Sequence, residues 1–169
     1  MFRIFFWLFI SVLFSNTVLS DVTQNIQPAD RILVQKSARK MFLYSGDEVV
    51  REYTIRLGGN PTGAKTREGD NRTPEGDYTI VSHNPKSAYH LSLRISYPTQ
   101  EQRAEAQKNG YSAGGDIMIH GYPNKAPAFI FRFIHARRDW TAGCIAVTNK
   151  EIEEIYKLVP DGTPIRIES

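Results

Sequence analysis

Short stretches of alternating apolar and polar residues recur through most of this chain, and they restrict its fold more than any other feature. The pattern is clearest at residues 52–57, which read EYTIRL. A period of two places successive side chains on opposite faces of a strand. Similar stretches predict strands at residues 32–34, 41–44, 78–81, 89–97, 116–120 and 165–167. In the stretch 89–97 we expect the tyrosines, leucines and isoleucine to be buried, and SGD at 45–47 predicts a hairpin turn.

Two helices interrupt this β pattern. The first begins at Thr99, whose spacing to Gln102 is typical of a capping box, and it ends at Gly110. The second is capped by Thr148 and Glu151 and ends before Pro160. Residues 58–76 contain five glycines and two prolines, which indicates a long ordered loop. The predicted fold class is therefore mainly β (α+β), a β-sandwich or mixed sheet with two short helices.

Composition excludes several classes of protein. An aromatic content of 11% argues against disorder, and a mean hydropathy of −0.38 argues against a polytopic membrane protein. The formal charge of +3, with no basic run longer than two residues, gives no sign of nucleic-acid binding.

The first twenty residues resemble a secretory signal peptide. Arg3 precedes an apolar stretch at residues 4–14, and Ser20 suits cleavage before Asp21. The apolar stretch is shorter than the roughly 20 residues that a membrane-spanning helix needs, although a retained anchor is the alternative. No cysteine follows it, which argues against a lipoprotein. We expect an exported, periplasmic protein with a signal peptide at 1–20, a lead-in at 21–30 and one catalytic domain at 31–169.

Cys144 is the only cysteine, so it cannot form an internal disulfide. It is a buried apolar filler, an intermolecular link or a reactive thiol. In an exported protein an unpaired thiol is a liability unless it is used. Gly143 before it permits a sharp turn that can aim backbone N–H groups at the atom under attack. From the residues alone, a structural role and a reactive role for Cys144 are equally supported.

A cysteine nucleophile needs a base, and His120 is the best placed of the four histidines. It ends a predicted strand and is followed by Gly121. His83 and His135 lie in turn-rich segments and are not expected to act directly. None of the histidines has metal-ligand spacing, so neither a metal nor another cofactor is predicted.

Several ordered motifs carry a resemblance to a known family. They are IMIHG at 117–121, TAGC at 141–144, TPEGDY at 73–78, SYP at 96–98 and DGTPI at 161–165. Together they resemble the YkuD-type L,D-transpeptidase catalytic domain over residues 31–167. The residues AVTN at 146–149 are similar to those of its YafK-like murein transpeptidase branch.

The resemblance implies a function and a set of roles. Cys144 is the expected nucleophile and His120 its general base. The carbonyl of Gly121 is expected to orient the imidazole, and the N–H groups of Gly143 and Cys144 to form an oxyanion hole. The implied substrate is a peptidoglycan stem peptide, attacked at the L-centre of diaminopimelate where it joins D-alanine. A wall-attached protein is a further possible substrate.

The chain departs from the family pattern at two positions. Many members have histidine where this chain has Ala142, and arginine or asparagine where it has Ala146. The second change leaves open how substrate carboxylates are bound. The 24-residue step from His120 to Cys144 is also long, and its aromatic and basic part could form a lid.

Weaker candidates for substrate binding come from this step and from the strand before it. We hypothesise that Arg137 or Arg138 pairs with a stem-peptide carboxylate, because arginine binds carboxylates bidentately. A solvated basic turn is the alternative. The further candidates are His90, Tyr97 and Trp140, and two loop residues, Lys65 and Asp70, are expected to shape the cleft.

Two other functions stay open on the sequence. The same Cys/His pair could pass its thioester to water, which would make a hydrolase or amidase that cleaves stem peptides or proteins linked to diaminopimelate. Alternatively, the domain is a non-catalytic cell-wall binding module whose cysteine is structural.

Overall fold

A computed structural model describes residues 27–125 and 127–169 of the chain, and the predicted signal peptide lies outside them. Within these residues eight strands form one mixed sheet in the order β3-β2-β1-β8-β4-β5-β6-β7. The strands are β1 Arg31–Gln35, β2 Lys40–Ser45, β3 Glu48–Thr54, β4 Gly76–Asn84, β5 Ser92–Ile95, β6 Met118–His120, β7 Ile145–Ala146 and β8 Pro164–Glu168. The helices are α1 Gln100–Lys108, α2 Ala128–His135 and α3 Asn149–Leu158.

The long strand β4 joins two halves of the sheet. Its first part, residues 76–79, pairs with β8, and its second part, residues 80–84, pairs with β5 across an irregularity between Ile80 and Ser82. The β1–β8 and β6–β7 pairs are parallel and the others are antiparallel. The predicted mixed sheet is therefore confirmed.

The core lies where the alternating patterns predict it. Ile32 and Val34 of β1, Met41 and Leu43 of β2, and Ile165 of β8 are buried, while their neighbours in sequence face outward. The α3 helix covers this sheet with Ile152, Ile155 and Leu158. Burial of such a side chain contributes about 1.5–3 kcal/mol, which fixes the register of each strand.

Several local predictions are confirmed. The β2–β3 hairpin turns at Gly46 and Asp47, and residues 58–75 form no strand. Both capping boxes are formed, because Thr99 and Gln102 exchange hydrogen bonds at the start of α1, and Thr148 and Glu151 do so at the start of α3.

The strand predicted at 89–97 is shorter than expected. Only Ser92–Ile95 is a strand, because residues 85–91 turn sharply and His90 has a left-handed φ of 69°. Tyr89 is 40% exposed, whereas Ser92 is fully buried. The N–H of Gly121 donates to the carbonyls of Tyr89 and Leu91, so this turn is fixed from outside its own sequence.

The prediction of two helices misses a third, α2. Its residues are aromatic or β-branched except for one arginine, one alanine and one histidine, and no side chain caps it at Pro127. Such a composition favours strands, and tertiary packing overrides it here.

The topology brings the two candidate catalytic residues together. His120 ends β6 and pairs with Ala146 in the parallel neighbour β7, while Cys144 directly precedes that strand. Both residues therefore lie at one edge of the sheet. No helix within the described residues is long and apolar enough to cross a membrane.

Candidate active site

The turn at residues 141–144 carries Cys144 and is held by one hydroxyl group. Thr141 Oγ1 donates to the Cys144 carbonyl at 2.7 Å and accepts from the Gly143 N–H at 3.1 Å. Gly143 has φ 135°, and a Cβ there would lie 2.6 Å from the Arg72 carbonyl oxygen. Only glycine fits this turn without strain.

This turn changes the expected oxyanion hole. The resemblance implies that the N–H groups of Gly143 and Cys144 both donate to the oxyanion. In the structure the Gly143 N–H already donates to Thr141 Oγ1. In the described part of the chain the Cys144 N–H has no such acceptor. The Cys144 N–H is therefore the free donor of the pair.

The Cys144 side chain is partly buried and its sulfur lies 3.6 Å from the Asp116 carbonyl oxygen. Burial raises the pKa of the Cys144 thiol, since it disfavours the charged thiolate. The Met118 backbone N–H and Lys65 lower this pKa, whereas the Asp116 carboxylate raises it further. At neutral pH Cys144 is thus a thiol that needs a base.

His120 is suited to be that base. It is 4% exposed, and its Nδ1 donates to the Gly121 carbonyl oxygen at 2.7 Å, which leaves Nε2 as the proton acceptor. Burial lowers the pKa of His120 to about 4, although the Gly121 carbonyl opposes the shift. The nearby His135 lowers this pKa as well. His120 is therefore neutral at pH 7.

Aromatic rings surround the imidazole. The Tyr89 ring centroid lies 4.5 Å from that of His120, and the Trp140 centroid lies 5.6 Å away. Phe131 of α2 packs edge-on against Trp140 at 5.1 Å. These rings restrict the imidazole to one orientation and keep water from most of its surface.

Cys144 and His120 both line a cleft of about 780 Å³. Besides Cys144 and the neutral His120, the cleft is lined by two charged residues, Asp116 and Lys125. The remaining lining residues are apolar or uncharged: Asn84, Ser87, Ala88, Tyr89, Met118, Pro123, Phe131, Trp140, Thr141 and Ala142. Its size suits a peptide segment.

The loop at 58–76 supports the cysteine turn from behind. Lys65 and Asp70 form a buried ion pair at 2.8 Å. Burial acts to raise the pKa of Asp70, but hydrogen bonds from Lys65 and from three backbone N–H groups outweigh it and lower the pKa to about 2. This pair orders the chain up to Arg72, whose carbonyl contacts Gly143.

Of the weaker candidates, only Trp140 lines the cleft. His90 Nε2 instead lies 2.7 Å from Glu153 Oε1 on α3. Tyr97 is buried elsewhere, and its hydroxyl donates to the Ala113 carbonyl at 2.8 Å. The structure therefore does not bring His90 or Tyr97 to the cleft, because each has a partner in the scaffold.

The two arginines also lie away from the cleft wall. Arg137 stacks on the Phe133 ring at 3.5 Å, and Arg138 is exposed beyond the end of α2. The two charged side chains that do line the cleft, Asp116 and Lys125, were not singled out by the sequence. Neither residue belongs to a recognised motif. The two come close to Cys144 only through the tertiary fold, so the sequence gives no signal for them.

Within the described residues no group of three or more histidine, cysteine, aspartate or glutamate side chains is arranged to hold a metal ion.

Comparisons with known proteins identify the family of this chain. Residues 29–167 match the model of the YkuD family, the L,D-transpeptidase catalytic domain. YafK of Escherichia coli (strain K12), named as an L,D-transpeptidase, is 29% identical over 135 residues, which cover 76% of this chain and 46% of that protein. YkuD of Bacillus licheniformis, named likewise, is 29% identical over 142 residues, covering 81% of this chain and 64% of its own.

Two solved structures have a similar fold. The helical cell shape determining protein Pgp2 of Campylobacter jejuni is 27% identical, with a TM-score of 0.59 over 87% of this chain and 52% of its own. Bd1075 of Bdellovibrio bacteriovorus is 25% identical, with a TM-score of 0.54 over 85% of this chain and 51% of its own. The chain thus spans between about half and two thirds of the relatives that it matches.

Proposed function

Because the chain belongs to the YkuD family of L,D-transpeptidase catalytic domains, we propose that it is a cysteine-dependent L,D-transpeptidase acting on peptidoglycan stem peptides. One observation carries the proposal. The only cysteine lines the same cleft as a buried, neutral histidine whose Nδ1 is tied to a carbonyl. This is the arrangement that activates a thiol for attack on an amide.

The first half of the reaction forms a thioester. His120 Nε2 accepts the proton of the Cys144 thiol, and the thiolate attacks the carbonyl carbon at the L-centre of diaminopimelate. The tetrahedral intermediate places its oxyanion toward the Cys144 N–H. It collapses as the bond to D-alanine breaks, and the leaving amine takes the proton from His120.

The second half transfers the acyl group. An acceptor amine attacks the thioester carbonyl and passes its proton to His120. The carbon–sulfur bond then breaks, and the departing thiolate recovers the proton to restore the thiol. With water in place of the amine, the same steps give hydrolysis.

The charged residues of the cleft suit such a substrate. A stem peptide that contains diaminopimelate presents carboxylates together with an ammonium group. Lys125 and Asp116 supply one charge of each sign on the cleft wall. We propose that Lys125 binds the substrate carboxylate. It would replace the arginine or asparagine that many family members have at the position of Ala146.

The proposed activity also implies a cellular location and the removal of a signal peptide. Murein lies outside the cytoplasmic membrane, so the enzyme must be exported, and we propose a periplasmic enzyme cleaved before Asp21. Mass spectrometry of the protein recovered from the periplasm tests this, because the mature chain should begin at Asp21.

Muropeptide analysis tests the activity. We expect the purified protein, incubated with disaccharide-tetrapeptides, to release D-alanine and yield cross-linked or exchanged products, whereas Cys144→Ala yields none. Cleaved stems without any transfer would indicate the hydrolase. An unchanged muropeptide profile in every mixture would favour the binding module.

A further inference from the structure

Helix α2 presents three large apolar side chains to solvent. Phe129 is 76% exposed, Phe133 is 61% exposed and Ile130 is 43% exposed. Residues four apart lie on one side of a helix, so the two phenylalanines form a continuous patch with Ile130 beside it. We call these three residues the outer face of α2. Elsewhere in the described residues, large exposed apolar side chains occur singly, as at Val49 and Val81.

The opposite side of α2 is already occupied. Phe131 packs against Trp140 at 5.1 Å and against Tyr122 at 6.3 Å, and His135 is buried. A ligand in the cleft therefore meets Phe131. The outer face is left for a different contact.

The segment of the chain that carries this helix has charges of one sign only. Residues 117–138 contain Lys125, Arg132, Arg137 and Arg138 and no acidic residue. Since the whole chain is +3, the rest of it sums to −1. All four cations are exposed, and the Arg137 guanidinium lies 3.5 Å from the centre of the Phe133 ring, at the patch itself.

The acidic residues that flank this segment do not offset it. Asp139 pairs with Arg39 at 2.8 Å and also accepts from the Leu57 N–H, while Asp116 lies 3.3 Å from Arg94. Both carboxylates thus have cationic partners outside the segment. Lys125 lines the cleft, so Arg132, Arg137 and Arg138 are the cations of this segment that remain available to an anionic partner of the outer face.

We propose that the outer face of α2 docks on an anionic phospholipid surface. Aromatic side chains enter the boundary between headgroups and acyl chains, and cations around them attract anionic headgroups. A second copy of this chain would bring the same three arginines to the contact, which disfavours self-association through this face. The helix has eight residues and would lie on the surface without crossing it.

An environment-sensitive fluorophore at position 133 tests the contact directly. The full chain carries Cys144→Ala and Phe133→Cys, so that the label reports on the outer face alone. Vesicles of phosphatidylcholine with 30–50% phosphatidylglycerol, roughly an anionic-leaflet composition, are titrated in at low salt. We expect a blue shift and increased emission, with no response to pure phosphatidylcholine vesicles.

The matched control places the same label at Val49, an exposed apolar position on β3, in the same Cys144→Ala background. This control protein keeps any attachment to the vesicle through residues 1–20, but its label lies away from the outer face of α2. We expect no shift at position 49. An equal shift at both positions, or none at position 133 at any anionic content, would overturn the proposal.

Two sets of substitutions separate the apolar and the charged contributions. Phe129→Ser with Phe133→Ser should weaken the vesicle affinity reported by a label at Ile130→Cys by at least about tenfold, because one buried ring accounts for such a factor. Val49→Ser with Val81→Ser should leave it unchanged. Arg132→Gln, Arg137→Gln and Arg138→Gln together should abolish the preference for anionic vesicles.

Other partners of this face give different results. A shift that grows with protein concentration without lipid would indicate a second copy. A shift with purified sacculi alone would indicate peptidoglycan. Either result contradicts lipid docking, and because Cys144→Ala is used throughout, none of these readings depends on the proposed activity.

Discussion

The smallest feature on which the site depends is the Thr141 hydroxyl. It closes the turn by donating to the Cys144 carbonyl and accepting from the Gly143 N–H. In doing so it removes one of two expected oxyanion donors and fixes the direction of the other. The motif Thr-x-Gly-Cys was visible in the sequence, but which N–H it leaves free depends on side-chain contacts that no spacing rule contains.

Thr141→Val frees the Gly143 N–H but releases the turn that aims the Cys144 N–H, so it should slow acylation by about 10²–10³, the effect of losing one well-aimed oxyanion donor. Thr141→Ser keeps the hydroxyl and should retain most of the rate. Single-turnover acylation of Cys144 measures both. Equal rates for the valine and serine variants would show that the hydroxyl has no such role.

Asp116 and Lys125 provide a second prediction at this scale. The Asp116 carboxylate raises the pKa of the Cys144 thiol, so Asp116→Asn should lower this pKa. Iodoacetamide alkylation followed against pH should then reach its midpoint at a lower pH than in the wild type. An unchanged midpoint would mean that the carboxylate does not act on the sulfur.

Lys125→Met should raise KM for stem peptides with a free carboxylate and leave kcat nearly unchanged.

At the scale of elements, predictions succeed where the signal is local. The α1 and α3 helices begin at capping boxes that each consist of four consecutive residues. The β2–β3 hairpin is predicted by the residues of its turn. The 89–97 stretch and α2 fail because distant residues decide them. The N–H of Gly121 fixes the turn before β5, and Trp140 and Tyr122 hold α2.

The cap of α3 has a measurable consequence. Thr148→Ala removes the acceptor of the Glu151 N–H and should lower the free energy of unfolding by about 1 kcal/mol. Thr148→Ser should recover most of that loss. Urea unfolding of the three proteins gives the comparison, and equal stability of the alanine variant and the wild type would exclude a capping contribution.

At the scale of the whole molecule, the burial of His120 links its proposed role as a base to the stability of the fold. Its pKa is about 4 in the folded chain and 6.5 when unperturbed. Between these values the unfolded chain binds a proton that the folded chain does not. The unfolding free energy should therefore fall as the pH drops from about 6.5 to 4, by about 3 kcal/mol from this residue.

His120→Gln removes that contribution. We expect the variant to lose less stability than the wild type between pH 7 and pH 4.5, measured by urea unfolding at both values. Burial also lowers the pKa of His135, so part of the dependence of the unfolding free energy on pH should persist in the variant. Identical slopes for wild type and variant would contradict the burial of a neutral imidazole.

We propose that Cys144, deprotonated by His120, forms the acyl-enzyme. Intact-protein mass spectrometry after rapid acid quench, with a stem tetrapeptide as donor, detects this intermediate. We expect an adduct equal to the donor minus D-alanine, located on Cys144 and absent in Cys144→Ala. In His120→Gln it should form at least about 10²-fold more slowly at pH 7. An adduct on another residue would show that Cys144 is not the nucleophile, and one that forms at the wild-type rate without His120 would show that His120 is not its base.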